Sequence, residues 1–208
     1  MERSGEVLQY WFGEPATEIA ALRAKVARWF VGGAELDREI VARFGSLVED
    51  ALAGRLDAWG ATARSRLALI LLLDQFTRSV YRDQPQMYAG DATAQALAIE
   101  ALDAGAAAEL GVEERLFLHM PLLHAETLAL QDRMRVEAER LVAEAPAWSQ
   151  PVFAMSVEQA GKYRDVIARF GRFPHRNAIL GRPSTAAEEA FLADWKERQA
   201  PSGLPPKA

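Results

Sequence analysis

Seven consecutive apolar residues, Leu67-Ala68-Leu69-Ile70-Leu71-Leu72-Leu73, constrain this 208-residue chain more than any other feature. A segment apolar on every side is stable in water only when neighbours cover it all round. Seven residues also fall far short of the about 20 that span a bilayer. The run therefore predicts a central helix that other elements pack against. Apolar residues recur at helical spacing almost throughout, and no window shows sustained period-two alternation of β-branched residues. The fold class is accordingly all-α, with strand content near zero.

The surrounding helices can be placed from their stripes and stops. Val7, Leu8, Tyr10, Trp11 and Phe12 precede a stop at Gly13. Ile19, Leu22, Val26, Trp29 and Phe30 form one apolar stripe ending at Gly32-Gly33, and Leu36, Ile40, Phe44, Leu47 and Leu52 form another ahead of Gly54. Asp91 is placed to cap a helix that stops at Gly105. Pro121 is expected to end or kink a helix starting near Glu113. Beyond it a long helix is expected to about Glu144, with Leu123, Leu130, Met134 and Leu141 in line. Another runs from about Val152 to Phe170, and Thr185-Ala186-Ala187-Glu188 is a capping box for the last. Trp11, Trp29, Trp59, Trp148 and Trp195 fall mostly at core phases. Short connections predict one domain over residues 1–200, with eight or nine helices packed as antiparallel hairpins and a frayed tail over 201–208. No repeat near 34 residues stands out.

Composition narrows the function classes. A formal charge of −5 gives no basic field for a phosphate backbone, so nucleic acid is not an expected partner. The absence of Cys removes disulfides, thiolate chemistry and Cys-based zinc sites. Met1-Glu2-Arg3-Ser4-Gly5-Glu6 lacks the basic and apolar regions of a signal peptide, so no membrane is expected and the cytoplasm is the expected compartment. The positive charge comes from 20 Arg and only 4 Lys. That bias suits planar recognition of carboxylate or phosphate, and a high-GC genome produces it equally.

Three polar constellations stand out. Asp74, Arg78 and Arg82 recur every four residues where the apolar run ends, with Gln75 beside them, so one carboxylate and two guanidiniums can share a face. The arrangement reads either as a structural ion pair at a helix C-terminus or as part of a ligand pocket. The second constellation is Arg169-Phe170-Gly171-Arg172-Phe173-Pro174-His175-Arg176-Asn177-Ala178-Ile179-Leu180-Gly181-Arg182, a positive loop in an acidic chain. Its Phe173-Pro174 pair can anchor the loop and present His175, Arg176 and Asn177. The third is Leu118-His119-Met120-Pro121-Leu122-Leu123-His124-Ala125-Glu126. Residues two apart on a helix diverge by about 200°, so His124 and Glu126 are expected to have separate partners. The five-residue spacing of His119 and His124 disfavours a helix-borne metal site, and His119 reads as a satisfied structural histidine. Dinucleotide, phosphate-loop, nucleophile-elbow and zinc-protease motifs are all missing, so no cofactor is expected.

These stretches, together with Leu8-Gln9-Tyr10-Trp11-Phe12-Gly13, resemble the bacterial domain of unknown function 924 family across nearly the whole chain. Its members look like tetratricopeptide-type helical hairpin proteins, so the resemblance implies a right-handed stack of α-hairpins and no established activity. The chain departs from the family pattern at five places. That pattern has proline at the place of Thr77, asparagine at Ser79, tyrosine at His119, glutamate at Leu123 and histidine at Tyr163. The missing glutamate and histidine are groups suited to acid–base or metal chemistry.

Two functions follow as expectations. In one, Arg78, Arg82, Arg172 and Arg176 bind a carboxylate or phosphate, Asp74, Gln75, His124, Glu126 and Asn177 complete the site, and His175 with Asp74 is the acid–base candidate of an enzyme. In the other, the chain is a scaffold whose concave surface accepts an acidic peptide or protein partner, or is purely structural.

Overall fold

Every residue from Leu67 to Ser79 is buried, as an element apolar on all sides demands. The computed structural model of the chain describes residues 3–199, with side chains to 194. The expected tail over 201–208 and the side chain of Trp195 lie outside the described residues. The elements in order are α1 (Arg3–Phe12), α2 (Ile19–Val31), α3 (Gly33–Leu52) and α4 (Ala63–Ile70). A π-helical turn (Leu71–Phe76) carries α4 on into α5 (Thr77–Val80), so that the three make one rod. Then follow α6 (Asp91–Asp103), α7 (Val112–Leu123), α8 (Leu128–Glu144), α9 (Gln150–Phe170) and α10 (Ala186–Gln199), with no strand among the described residues. None of their helices is long and apolar enough to cross a membrane.

The rod is the axis of the core. α1 lies on α4, α3 lies on the π turn and α5, and α6 and α7 close the remaining sides. Trp11, Phe12, Trp29 and Phe117 meet tilted or edge to face at centroid distances of 5.0 to 5.9 Å, an arrangement favoured by ring quadrupoles. Beyond this core α8 packs between α7 and α9. A satellite cluster of Val166, Ile167 and Phe173 seats the C-terminal loop. The capping box is present as expected: Thr185 N–H donates to Glu188 at 2.8 Å, and Glu188 N–H to Thr185 Oγ1 at 3.3 Å. Trp148, in contrast to Trp11 and Trp29, is 37 % exposed.

Periodicity cannot reveal the π turn, because a change of phase leaves no mark in a run where every residue is apolar. The Thr77 N–H bonds Leu72 O, five residues back, and the Thr77 hydroxyl donates to Leu73 O at 2.8 Å. One side chain thus serves the carbonyl beside the altered register.

Two boundaries differ from expectation. Pro121 lies inside α7, which continues to Leu123, and α8 begins only at Leu128, so no single helix joins Leu123 to Glu144. The break falls where the ends of α7 can be satisfied. The fully buried Gln131 amide donates to Leu123 O at 2.7 Å, to Ala125 O at 2.8 Å and to Leu122 O at 3.3 Å. Asp91 is the second difference. It occupies the first turn of α6 without capping it, and its carboxylate turns inward.

Candidate functional site

The rod ends in polar groups that its burial cuts off from water. Asp74 is completely enclosed, so its carboxylate must find protein donors. His124 Nδ1 lies 2.8 Å from Oδ1, Gln75 Nε2 donates to Oδ2 at 2.6 Å, and Arg78 Nη2 stands 3.6 Å from Oδ1. Burial alone would raise this carboxyl's pKa. The charges of His124 and Arg78 and the hydrogen bonds from His124 and Gln75 outweigh that effect and hold it well below the usual carboxylate range. An ionised carboxylate only accepts, so His124 Nδ1 is the donor and Nε2 is the ring atom left for another partner. Among the described residues nothing bonds that Nε2, and the side chain is 15 % exposed.

From Asp74 the contacts close into a ring. Arg78 donates to the Asp74 carbonyl and, at 2.9 Å, to Asp91 Oδ1. Arg176 Nη1 donates to Asp91 Oδ2 at 3.0 Å, and Nη2 donates at 3.0 Å to the carbonyl of His124, whose imidazole returns to Asp74. The ring draws on the π turn, α5, α6, the end of α7 and the single turn Pro174–Arg176. Gly90 permits the closure: a Cβ there would lie 2.3 Å from Leu73 O, so only glycine lets α6 approach the rod this closely.

Aromatic faces complete the enclosure. The Arg176 guanidinium lies 4.5 Å from the Tyr88 ring centroid and 4.9 Å from that of Phe173, placements that favour a cation. Burial raises the Tyr88 phenol pKa against the opposing charges of Arg176 and Arg78. Tyr163, also raised by burial, feels the same two guanidiniums and packs on Phe173 at 5.3 Å. Two buried polar atoms of this group, Arg176 Nε and Tyr88 Oη, have no hydrogen-bond partner among the described residues.

The other residues singled out from the sequence lie around the ring or apart from it. Glu126 accepts from Phe173 N at 2.7 Å and from Arg182 at 2.7 and 3.0 Å, a partner separate from that of His124. Arg182 and the backbone N–H of Phe173 hold the Glu126 carboxyl below its ordinary range against the effect of burial. Asn177 braces the loop, accepting from Arg182 at 3.0 Å and donating to Ser184 at 3.1 Å. Arg172 leaves the group: it pairs with Glu188 at 2.7 and 2.8 Å. Arg82 does likewise, because α5 ends at Val80 and Arg82 lies in the turn beyond it, where it grips Asp37 on α3 at 2.7 and 2.8 Å. His175 stands next to the ring, 5.4 Å from Phe173, its pKa pushed down to about 4 by burial and by Arg176 and His124. It is not the histidine that Asp74 holds. Tyr163 and His175 border a recess of about 10 Å³, room for one water or one oxygen of a ligand. His119 is buried but not satisfied, since its Nδ1 has no partner among the described residues.

Sequence reasoning missed three members of the site. Asp91 was hidden by its capping position, Tyr88 carried no signal, and Tyr163 was visible only as a departure from a pattern.

A sequence model of a family of bacterial proteins of unknown function, DUF924, matches residues 7–195. The chain belongs to DUF924. Among solved structures it is similar to a protein of unknown function, ATU0120, from Agrobacterium tumefaciens. The two are 33 % identical over 92 % of this chain and 97 % of that one, with a TM-score of 0.75. No curated protein matches. Leu123 belongs to the apolar core and Tyr163 flanks the ion ring.

Proposed function

We propose that this member of DUF924 binds a small anionic ligand, a carboxylate or a phosphate, at the edge of the ion ring beside Arg176, Tyr88, His124 and His175. One observation carries the reading: Arg176 Nε and Tyr88 Oη are buried and unpartnered. Buried polar groups in native proteins nearly always have partners, and an arginine Nε–H can only donate. A ligand that satisfies it must bring an acceptor, and an oxyanion is the strongest one. If the bound molecule reacts, His124 is the group with a carboxylate behind it and a free nitrogen in front, and it takes the acid–base role expected of His175.

A second reading has a specific basis too. Asp74, Asp91, Arg78 and Arg176 neutralise one another, which suits a network that only fixes the fold, or a tetratricopeptide-like stack that offers its concave face to an acidic peptide. Thermal denaturation with phosphate, sulfate, acetate and citrate at constant ionic strength separates the readings. The ligand reading expects one of these anions to raise the midpoint by several degrees, an effect reduced about tenfold in affinity by Tyr88→Phe or Arg176→Lys. No shift of the unmutated protein by any anion would leave the structural reading.

A further inference from the structure

The far end of α7 borders a second hollow whose residues take no part in the ion ring. It encloses about 520 Å³, within the size range of small-molecule sites. Leu8 and Phe12 of α1, Leu22 of α2 and Phe153 of α9 line it, all four buried members of the core. Trp148 stands at its rim. Gln9 and Gly13 also line it, whereas Tyr10 and Trp11 turn away to Phe44 and Phe76.

The charge of the lining is one-sided. Glu14, Glu109, Glu113 and Glu114 line the hollow with one cation, Arg64, and Lys25 reaches Glu113 and the Glu14 carbonyl from outside the lining. Glu113 is occupied by Ala16 N and Lys25, both at 2.7 Å, and Glu114 by Gly111 N at 2.9 Å and Arg64 at 2.7 Å. These contacts consume both cations and use the first-turn carboxylates that answer the positive end of α7. Glu14 and Glu109 remain exposed and without an ion pair among the described residues.

We propose that this cleft binds an organic cation with an apolar body, a primary ammonium on an alkyl or aryl group. The apolar floor takes the body by removing it from water. The ammonium sits toward Glu14 and Glu109, and the face of Trp148 adds attraction for it. An anion of the same shape meets carboxylates where it needs donors.

The test is calorimetric titration of the full chain with phenethylammonium, using 3-phenylpropionate and 2-phenylethanol as charge controls at fixed ionic strength. The ammonium is expected to bind about tenfold tighter than either control. The double variant E14Q/E109Q should lose most of that preference while binding 2-phenylethanol as before. Trp148→Ala should weaken the ammonium several-fold. Arg176→Lys should change nothing, which separates this site from the ion ring. Equal or tighter binding of the propionate, undiminished ammonium binding by E14Q/E109Q, or capture of a Lys-rich peptide with no binding of the ammonium would each overturn the proposal.

Discussion

A charge enclosed in protein is tolerable only while its partners remain, and Asp74 is the most enclosed charge in the ring. Asp74→Asn strands Arg78 and releases His124, so a loss of about 3–5 kcal/mol is expected in urea denaturation. Asp132→Asn, at the exposed pair with Arg164, should cost less than about 1 kcal/mol. His119 makes a prediction of the opposite charge type. Burial and the charges of Arg115, Arg140 and Arg133 push its pKa from 6.5 down to about 3. An unfolded chain takes up a proton near pH 6.5 that the folded one refuses until about pH 3. Its contribution to stability is therefore complete above pH 6.5 and is lost as the pH falls through that window. The melting midpoint should decline with acid, and His119→Phe should flatten the decline. Parallel curves for the two proteins would refute this. Asp74, Arg78, His124 and Arg176 were legible because such side chains interrupt an apolar pattern and must be accounted for. Asp91 was not, because Gly90-Asp91 reads as a helix start and nothing local says that the carboxylate points inward.

Helices were legible wherever polar and apolar faces alternate, and their boundaries failed where a distant side chain decides them. Gln131 sets the end of α7 from the next helix, and no signal near Leu123 announces it. The close packing of α6 on the rod has the same character. A methyl group at Gly90 would collide with the backbone of Leu73, so Gly90→Ala should push α6 outward and open the Asp91 contacts with Arg78 and Arg176. The expected signs are a loss of about 1–3 kcal/mol and faster hydrogen exchange through Asp91 to Asp103. Unchanged exchange there would refute the idea that this glycine holds the ring closed.

At the scale of the whole molecule the ion ring and the acidic cleft sit at opposite ends of α7, whose 12 residues set them about 18 Å apart. Sites so separated and sharing no side chain behave independently. Combining Arg176→Lys with E14Q/E109Q should give stability changes that add within about 0.5 kcal/mol, measured by denaturant titration of the unmutated protein and the three variants. The all-α architecture was legible because it rests on short-range periodicity. The ring was legible only in part, because Asp91 and Arg176 meet across 85 residues of sequence, and such closure is a property of the assembled molecule.

The π turn has one last implication. It houses one residue more than an α-helical turn would, so the rod contains a surplus position that its neighbours have been fitted around. Deleting Leu71, Leu72 or Leu73 would allow a regular helix to form and would rotate one half of the rod against the other by about 100°. Arg78 could then no longer face Asp91 while α4 keeps its own seat. Loss of a single leucine codon, at a side chain without a polar atom, would thus scramble the charged ring more thoroughly than replacing one of the charges.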